Sequence, residues 1–349
     1  MTQDSLENIL VVGPSWIGDM VMAQSLFIRL KLKHQNCRIS VMAPAWTRPL
    51  LERMPEVDRS IDFPFKSGEL KLLERRALGK SLNSDNFTTA IVLPNSFKSA
   101  LIPFHAGIPR RIGWRGEWRD MLLTDCRKLN KDKLPLMVQR FSALADSSFE
   151  NGLPATQKPN LQTDPASVTA TLSDFKLEAG SKILAICPGA EFGAAKQWPA
   201  KHFASACSTL IADGWKVWIF GSASDKTIAA AIVDNIESKQ QQSCVSLAGR
   251  TSLAQAIDLM SVASAVISND SGLMHIAAAL DKPVVALYGS TSPDFTPPLA
   301  DRVRLLTTDI DCRPCFKRDC PFGHLKCLTE LEPARATDAV SELIALEKN

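Results

Sequence analysis

Short apolar runs that stop at glycine or proline, each followed by a helical stretch, recur along the whole chain. This alternation restricts the fold more than any other feature. In the N-terminal half the runs Ile9–Val12, Arg38–Met42 and Thr89–Leu93 read as strands. Helices are expected at Asp19–Lys33, Trp46–Met54, Glu69–Leu82, Asn95–Ala106 and Pro135–Ser148. In the C-terminal half the strands are Lys182–Cys187, Lys216–Phe220, Ala265–Ser268 and Pro283–Leu287. Helices there fall at Ala200–Asp213, Ser224–Glu237, Leu253–Val262, Ser271–Leu280 and Pro333–Lys348. Continuous apolar strands joined by helices belong to parallel sheets covered on both faces. Residues 151–165 (NGLPATQKPNLQTDP) carry three prolines and break the alternation. The expected fold is therefore α/β: two doubly wound domains, 1–160 and 161–332, with a terminal helix at 333–349 and a cleft between the domains. Ligands of such sheets sit at the carboxyl ends of the strands, so the loops after strands are where chemistry is sought.

Composition narrows the class. Of 349 residues, 45% are hydrophobic and 22% charged, which fits ordinary globular domains and not a disordered chain. No apolar run approaches the ~18 residues of a spanning helix. The first residues are polar, with Asp4 and Glu7, unlike a secretory signal, so a cytoplasmic location is expected. Charge is split unevenly. Residues 1–160 hold 23 Lys and Arg against 16 Asp and Glu, and residues 161–349 hold 17 against 21. The excess peaks over residues 98–140, where ten basic residues meet four acidic ones. Lys98, Arg110, Arg111, Arg115 and Arg119, interleaved with Trp114 and Trp118, form a candidate anion-binding face. A solvated surface is the competing reading for any one of them.

Three strand-to-helix loops carry candidate chemistry. Gly13-Pro-Ser-Trp-Ile-Gly18-Asp19 spaces its glycines like a phosphate loop, but Asp19 stands where such a loop needs lysine. The third glycine of a dinucleotide fingerprint is also missing, which argues against an oxidoreductase. Asp19 is either a helix-start carboxylate or a general base. Pro188-Gly-Ala-Glu-Phe-Gly193-Ala-Ala-Lys196 sets one lysine just before a helix that Pro199 can start, where it can meet a diphosphate. Asn269-Asp270-Ser271-Gly272-Leu-Met-His275 has good helix-start residues whose amides can cradle an anion, with His275 one turn in.

Five of the nine cysteines are scattered singly as small hydrophobes: Cys37, Cys126, Cys187, Cys207 and Cys244. The others cluster at Cys312, Cys315, Cys320 and Cys327, near His324. The readings are reduced structural thiols, a reversible disulfide, or zinc at spacings unlike those of a standard finger. A metal-free loop is the expectation. Asp309-Ile-Asp311 matches a D-x-D metal motif over three residues only and lacks its surroundings.

Pro14-Ser-Trp-Ile-Gly-Asp19, Lys196-Gln-Trp-Pro199 and Asn269-Asp-Ser-Gly-Leu-Met-His275 resemble the lipopolysaccharide heptosyltransferases. Arg111–Arg119, Leu134–Arg140 and the Cys312–Cys327 block extend the resemblance over residues 9 to 330. It implies a GT-B fold of two Rossmann-like domains, the donor on the C-terminal one, and an inverting transfer of L-glycero-D-manno-heptose from ADP-heptose. The implied acceptor is the first inner-core heptose on Kdo2-lipid A, met at the cytoplasmic face of the membrane. The alternative is the preceding transfer, to Kdo2-lipid A itself. By resemblance Asp19 is the base and Lys196 the diphosphate ligand. Gly18, Asp225, Thr251, Asp270, Ser271, Gly272 and His275 join the donor site. Glu191 and Phe192 depart from the hydroxyl residues of the first heptosyltransferase. No cofactor or metal is implied. A basic nucleic-acid-binding protein with a zinc module fits neither the charge split nor the loops.

Overall fold

Valine, isoleucine and leucine runs occupy the middle of each sheet, and the more polar strands lie at its edges. The structure, a computed structural model, describes residues 7–66, 68–146, 156–180 and 182–346. Residues 147–148 of the expected fifth helix, 151–155 of the expected linker and 347–349 at the C-terminus lie outside them. The chain divides into two units, Met1–Pro159 and Asn160–Asn349.

In the first unit, β1 (Asn8–Val12), β2 (Arg38–Ala43), β3 (Arg59–Asp62), β4 (Thr89–Val92), β5 (Arg110–Trp114) and β6 (Asp125–Arg127) form one sheet. Its order is β3-β2-β1-β4-β5-β6, and every neighbouring pair is parallel. The helices are α1 (Ile17–Lys33), α2 (Arg48–Leu51), α3 (Leu72–Ser81), α4 (Phe97–His105) and α5 (Met137–Ser142). In the second unit, β7 (Ile183–Cys187), β8 (Lys216–Ile219), β9 (Cys244–Ser246), β10 (Ala265–Asn269), β11 (Val284–Leu287) and β12 (Val303–Leu306) are again all parallel. Their order is β12-β11-β10-β7-β8-β9. The helices are α6 (Pro165–Asp174), α7 (Ala200–Ala212), α8 (Lys226–Asp234), α9 (Leu253–Ser261), α10 (Gly272–Ala279), α11 (Lys326–Thr329) and α12 (Pro333–Ala345).

Both sheets have the 3-2-1-4-5-6 order of a Rossmann fold. The winding direction reverses between β1 and β4 in one unit and between β7 and β10 in the other. Ligands of such sheets bind at the carboxyl ends of the strands flanking that reversal.

Five strands were not expected: β3, β5, β6, β9 and β12. The expected helix at Trp46–Met54 is a 3-10 turn running into the single turn of α2. The C-terminal helix is no appendage: Ala336, Ala339, Val340 and Leu343 of α12 share the second unit's core with Leu184, Ile186 and Phe203.

Five arginines of the first unit are turned inward onto its own backbone. Arg75 donates to the carbonyls of Leu70, Glu69 and Lys98, beneath the Phe65 ring. Arg111 holds the carbonyls of Ile108 and Leu122, Arg127 those of Ala143, Leu144 and Asp146, and Arg140 those of Leu134 and Pro135. Arg119, with no exposed surface, is the fifth.

Candidate active site

In the first unit the loop after β1 leaves the sheet at Gly13, which packs closely against Met20 and Val41. A Cβ there would lie 2.7 Å from Met20 Cε and 3.3 Å from Val41 Cγ1, so only glycine fits without displacing the neighbours. Helix α1 then begins at Trp16, which provides no side-chain cap. Gly18 and Asp19 lie half-buried in the first turn, where a carboxylate is favoured by the helix dipole. Lys98, in the first turn of α4, follows the carboxyl end of β4. Asp19 and Lys98 thus rise from the two strands that flank the reversal.

The basic segment divides in a way that corrects the expected anion face. Arg110 and Arg111 open β5, level with Thr89 and Ala90 of β4, at the amino edge of the sheet. Arg111 is further occupied by two carbonyls. Arg119 donates through Nε to the Trp114 carbonyl at 3.0 Å and through Nη2 to Asn95 Oδ1 at 2.9 Å. It also donates through Nη1 to the Pro94 carbonyl and to Ser99 Oγ. Burial pushes its pKa down. Arg119 pins the loop after β5 to the loop after β4 and has no surface to offer a substrate. Arg115 lies exposed past the carboxyl end of β5, 3.3 Å from Asp120 Oδ1. Beside it Trp118 and Met121 are 93% and 90% exposed. Of the five basic residues expected in this face, Lys98, Arg115 and Arg119 lie at the edge that carries Asp19, and of these only Lys98 and Arg115 have exposed surface.

In the second unit the expected donor residues converge. Asn269 ties two loops together: its Nδ2 donates to the Pro188 carbonyl at 2.7 Å, and its Oδ1 accepts from the Trp198 amide at 3.2 Å. This holds the loop after β7 against the end of β10. Lys196 Nζ stands 2.6 Å from Asp270 Oδ2, with 14% and 5% of the two side chains exposed. Thr291 Oγ1 donates to the same carboxylate oxygen at 2.6 Å. The Phe192 ring lies 4.9 Å from the ammonium. Ser271 begins α10, but its hydroxyl faces Ser268 Oγ at 3.3 Å and does not cap the helix. The first-turn amides from Gly272 therefore have no side-chain cap to displace. His275, one turn in and 5% exposed, has its pKa lowered to about 4, by burial first and by Lys196 last. It is a neutral imidazole at pH 7.

Asp225 and Thr251 sit on the neighbouring loops at the same edge. Asp225 Oδ2 accepts from the amide and hydroxyl of Ser222, closing the turn after β8. A Cβ on Gly189 would lie 2.6 Å from the Asp225 carboxylate, so the turn packs against the loop after β7. Thr251 is half-buried just before Ser252, the N-cap of α9. Thr291 was missed, as was Arg313, which donates to the carbonyls of Gly289 and Thr291. Thr291 follows the carboxyl end of β11, and the rule that singled out the other loops also reaches it.

Two Rossmann-type units, one carrying a carboxylate and the other a lysine beside a helix N-terminus at their strand reversals, define a GT-B glycosyltransferase. The family model for glycosyltransferase family 9 (heptosyltransferase) matches residues 75–326. Lipopolysaccharide heptosyltransferase 2 of Salmonella typhimurium is 47% identical over 348 residues, covering 97% of this chain and 99% of the relative. The solved structure of the E. coli ADP-heptose lipopolysaccharide heptosyltransferase II superposes with a TM-score of 0.89 at 44% identity, covering 98% of this chain and all of that one. Lipopolysaccharide heptosyltransferase 1 of E. coli is 24% identical, over 82% of this chain and 89% of its own length. The chain belongs to glycosyltransferase family 9, the heptosyltransferases.

Proposed function

We propose that the protein transfers L-glycero-D-manno-heptose, with inversion, from ADP-heptose to the first inner-core heptose of lipopolysaccharide. The full-length likeness to heptosyltransferase 2 carries this reading, against much weaker likeness to heptosyltransferase 1. Asp19 takes the proton of an acceptor hydroxyl. The oxygen attacks the anomeric carbon, and ADP leaves from the opposite face. Charge then builds on the diphosphate, where Lys196 and the first-turn amides of α10 meet it. Asp270 and Thr291 fix the ammonium in place, so little reorganisation accompanies bond breaking. Neutral His275 contributes a hydrogen-bonding imidazole and no charge. Asp225, Thr251 and Gly272 bound the same edge and contact the rest of the donor.

Lys98 and Arg115 meet the anionic groups of a Kdo- and phosphate-bearing acceptor. The exposed Trp118 and Met121 beside Arg115 suit a lipid-borne substrate, because an interfacial tryptophan next to a cation is at home in lipid headgroups. No helix among the described residues is long and apolar enough to cross a membrane. The proposed location is the cytoplasm, with peripheral contact to the inner membrane.

The deciding experiment incubates the enzyme with ADP-heptose and two acceptors, Kdo2-lipid A with and without its first heptose. Transfer to the heptosylated acceptor alone is expected. Equal or preferred transfer to bare Kdo2-lipid A would assign the preceding reaction.

A further inference from the structure

Between β12 and α11 the chain runs from residue 307 to residue 325 without helix or strand. So long a stretch inside a folded unit calls for a staple of its own. Apolar burial does not supply one: Phe316 and Phe322 are 50% and 66% exposed, and Lys317, Arg318 and Asp319 are exposed. Yet the loop supports the donor site. The Arg318 carbonyl accepts from the Ala195 amide at 2.9 Å, next to Lys196. Gly193 packs so closely under Arg318 that a Cβ would lie 2.4 Å from that carbonyl. The Phe316 amide donates to the Ser290 carbonyl, and Arg313 grips Gly289 and Thr291.

At the centre of this loop is a cavity of about 10 Å³. That is one probe sphere, room for a single water or ion. Cys312, Cys315, Cys320 and Cys327 all line it, and all four are free thiols. Arg313 lines the same cavity and offsets negative charge there. His324 also borders it, but its Nδ1 accepts from the Lys326 amide at 3.0 Å and its ring stacks on Phe322. The set is therefore four sulfurs. Among the described residues no three His, Cys, Asp or Glu side chains stand ready around a common point. The thiols thus ring the cavity and must turn into it to bind.

We propose that Cys312, Cys315, Cys320 and Cys327 form a tetrathiolate site for one thiophilic transition-metal cation, zinc or iron, which staples the loop that supports Lys196. Thiolates select such cations, and a closed four-sulfur set is structural, with no open position for substrate. Binding releases the thiol protons and transfers no electrons. The proposal departs from the metal-free loop expected from the sequence.

The test uses full-length protein purified without affinity metals under reducing, anaerobic conditions. Elemental analysis should find close to one zinc or iron per chain. Stripped protein reloaded with Co2+ should show the thiolate charge-transfer and d–d bands of tetrahedral S4 cobalt. Cys315→Ser and Cys320→Ser, both on the half-exposed part of the loop, should lose that spectrum and most of the metal. Cys126→Ser, in the other unit, should keep both. If the wild type binds no more zinc or cobalt than Cys320→Ser, or if fresh protein contains a disulfide among the four, the proposal fails.

Discussion

Lys196 Nζ and Asp270 Oδ2 lie 2.6 Å apart although 74 residues separate them, and Thr291 Oγ1 shares the same carboxylate oxygen. An ammonium carries three N–H groups, and Asp270 occupies one of them. In the proposed mechanism the pair orients the charge that meets the diphosphate. Lys196→Ala should lower kcat by roughly 10²–10³, the usual effect of removing one transition-state donor. Asp270→Ala should cost about 3–5 kcal/mol of stability, because it strands a nearly buried cation. Chemical denaturation and steady-state kinetics on the two variants separate these effects. Equal stability of Asp270→Ala and wild type would show the pair to be incidental.

Asp19 sits in the first turn of α1, where a carboxylate serves either as base or as dipole partner. Asp19→Asn keeps the shape and removes the base. Turnover should fall by about 10²–10⁴, with ADP affinity by calorimetry unchanged. Near-normal turnover would leave Asp19 a helix-start residue only.

Arg115 and Arg119 are four residues apart in sequence and opposite in role. Arg119→Ala should lower the melting temperature sharply, since the Trp114 and Pro94 carbonyls and the Asn95 side chain all lose a charged donor. Arg115→Glu combined with Lys98→Glu should leave melting and ADP affinity alone. It should raise the acceptor KM and weaken that constant's dependence on salt. Impaired ADP binding in the double variant would place the donor on the first unit.

His275 makes stability depend on pH. Its folded pKa, about 4, lies below the unfolded value near 6.5, so between those values the unfolded chain binds the extra proton. The contribution is fully present above pH 6.5 and drains away as pH falls toward 4. The slope is at most about 1.4 kcal/mol per pH unit. His202 is shifted in the same direction by burial, so the comparison must be internal. Urea melts of wild type and His275→Gln across that range should show a shallower fall in the variant. Parallel curves would mean that His275 does not titrate on unfolding.

The central strands were legible because they are buried on both faces and written in uninterrupted apolar residues, as β7 is from Ile183 to Cys187. The edge strands were not. Arg59–Asp62 and Asp125–Arg127 are short, polar and only partly buried, and look like loop sequence. β5 was hidden by its own arginines, which belong to the amino edge of the sheet and to its internal bonds. That concealment made Arg110, Arg111 and Arg119 look like an anion face. The loops after β7 and β10 were legible as candidates because glycines, a lysine and helix-start residues follow recognised strands. Asp270 as the partner of Lys196 was not, since local spacing does not record a contact across the sheet reversal. The same holds for the four cysteines: their gaps fit no standard finger, and only the folded loop brings them round one cavity.

Arginine and lysine are one quantity in a tally of charge, and the first unit does not treat them so. Arg75, Arg111, Arg119, Arg127 and Arg140 each span two or more acceptors with a planar fork that an ammonium cannot reproduce. Lysine-for-arginine exchange at these positions keeps the electrostatic field and loosens the joints between strands. The exposed basic residues, Arg115 among them, hold no such joint and can be exchanged without loosening the sheet. Its inward ones are locked to guanidinium chemistry, whatever sugar the enzyme learns to extend.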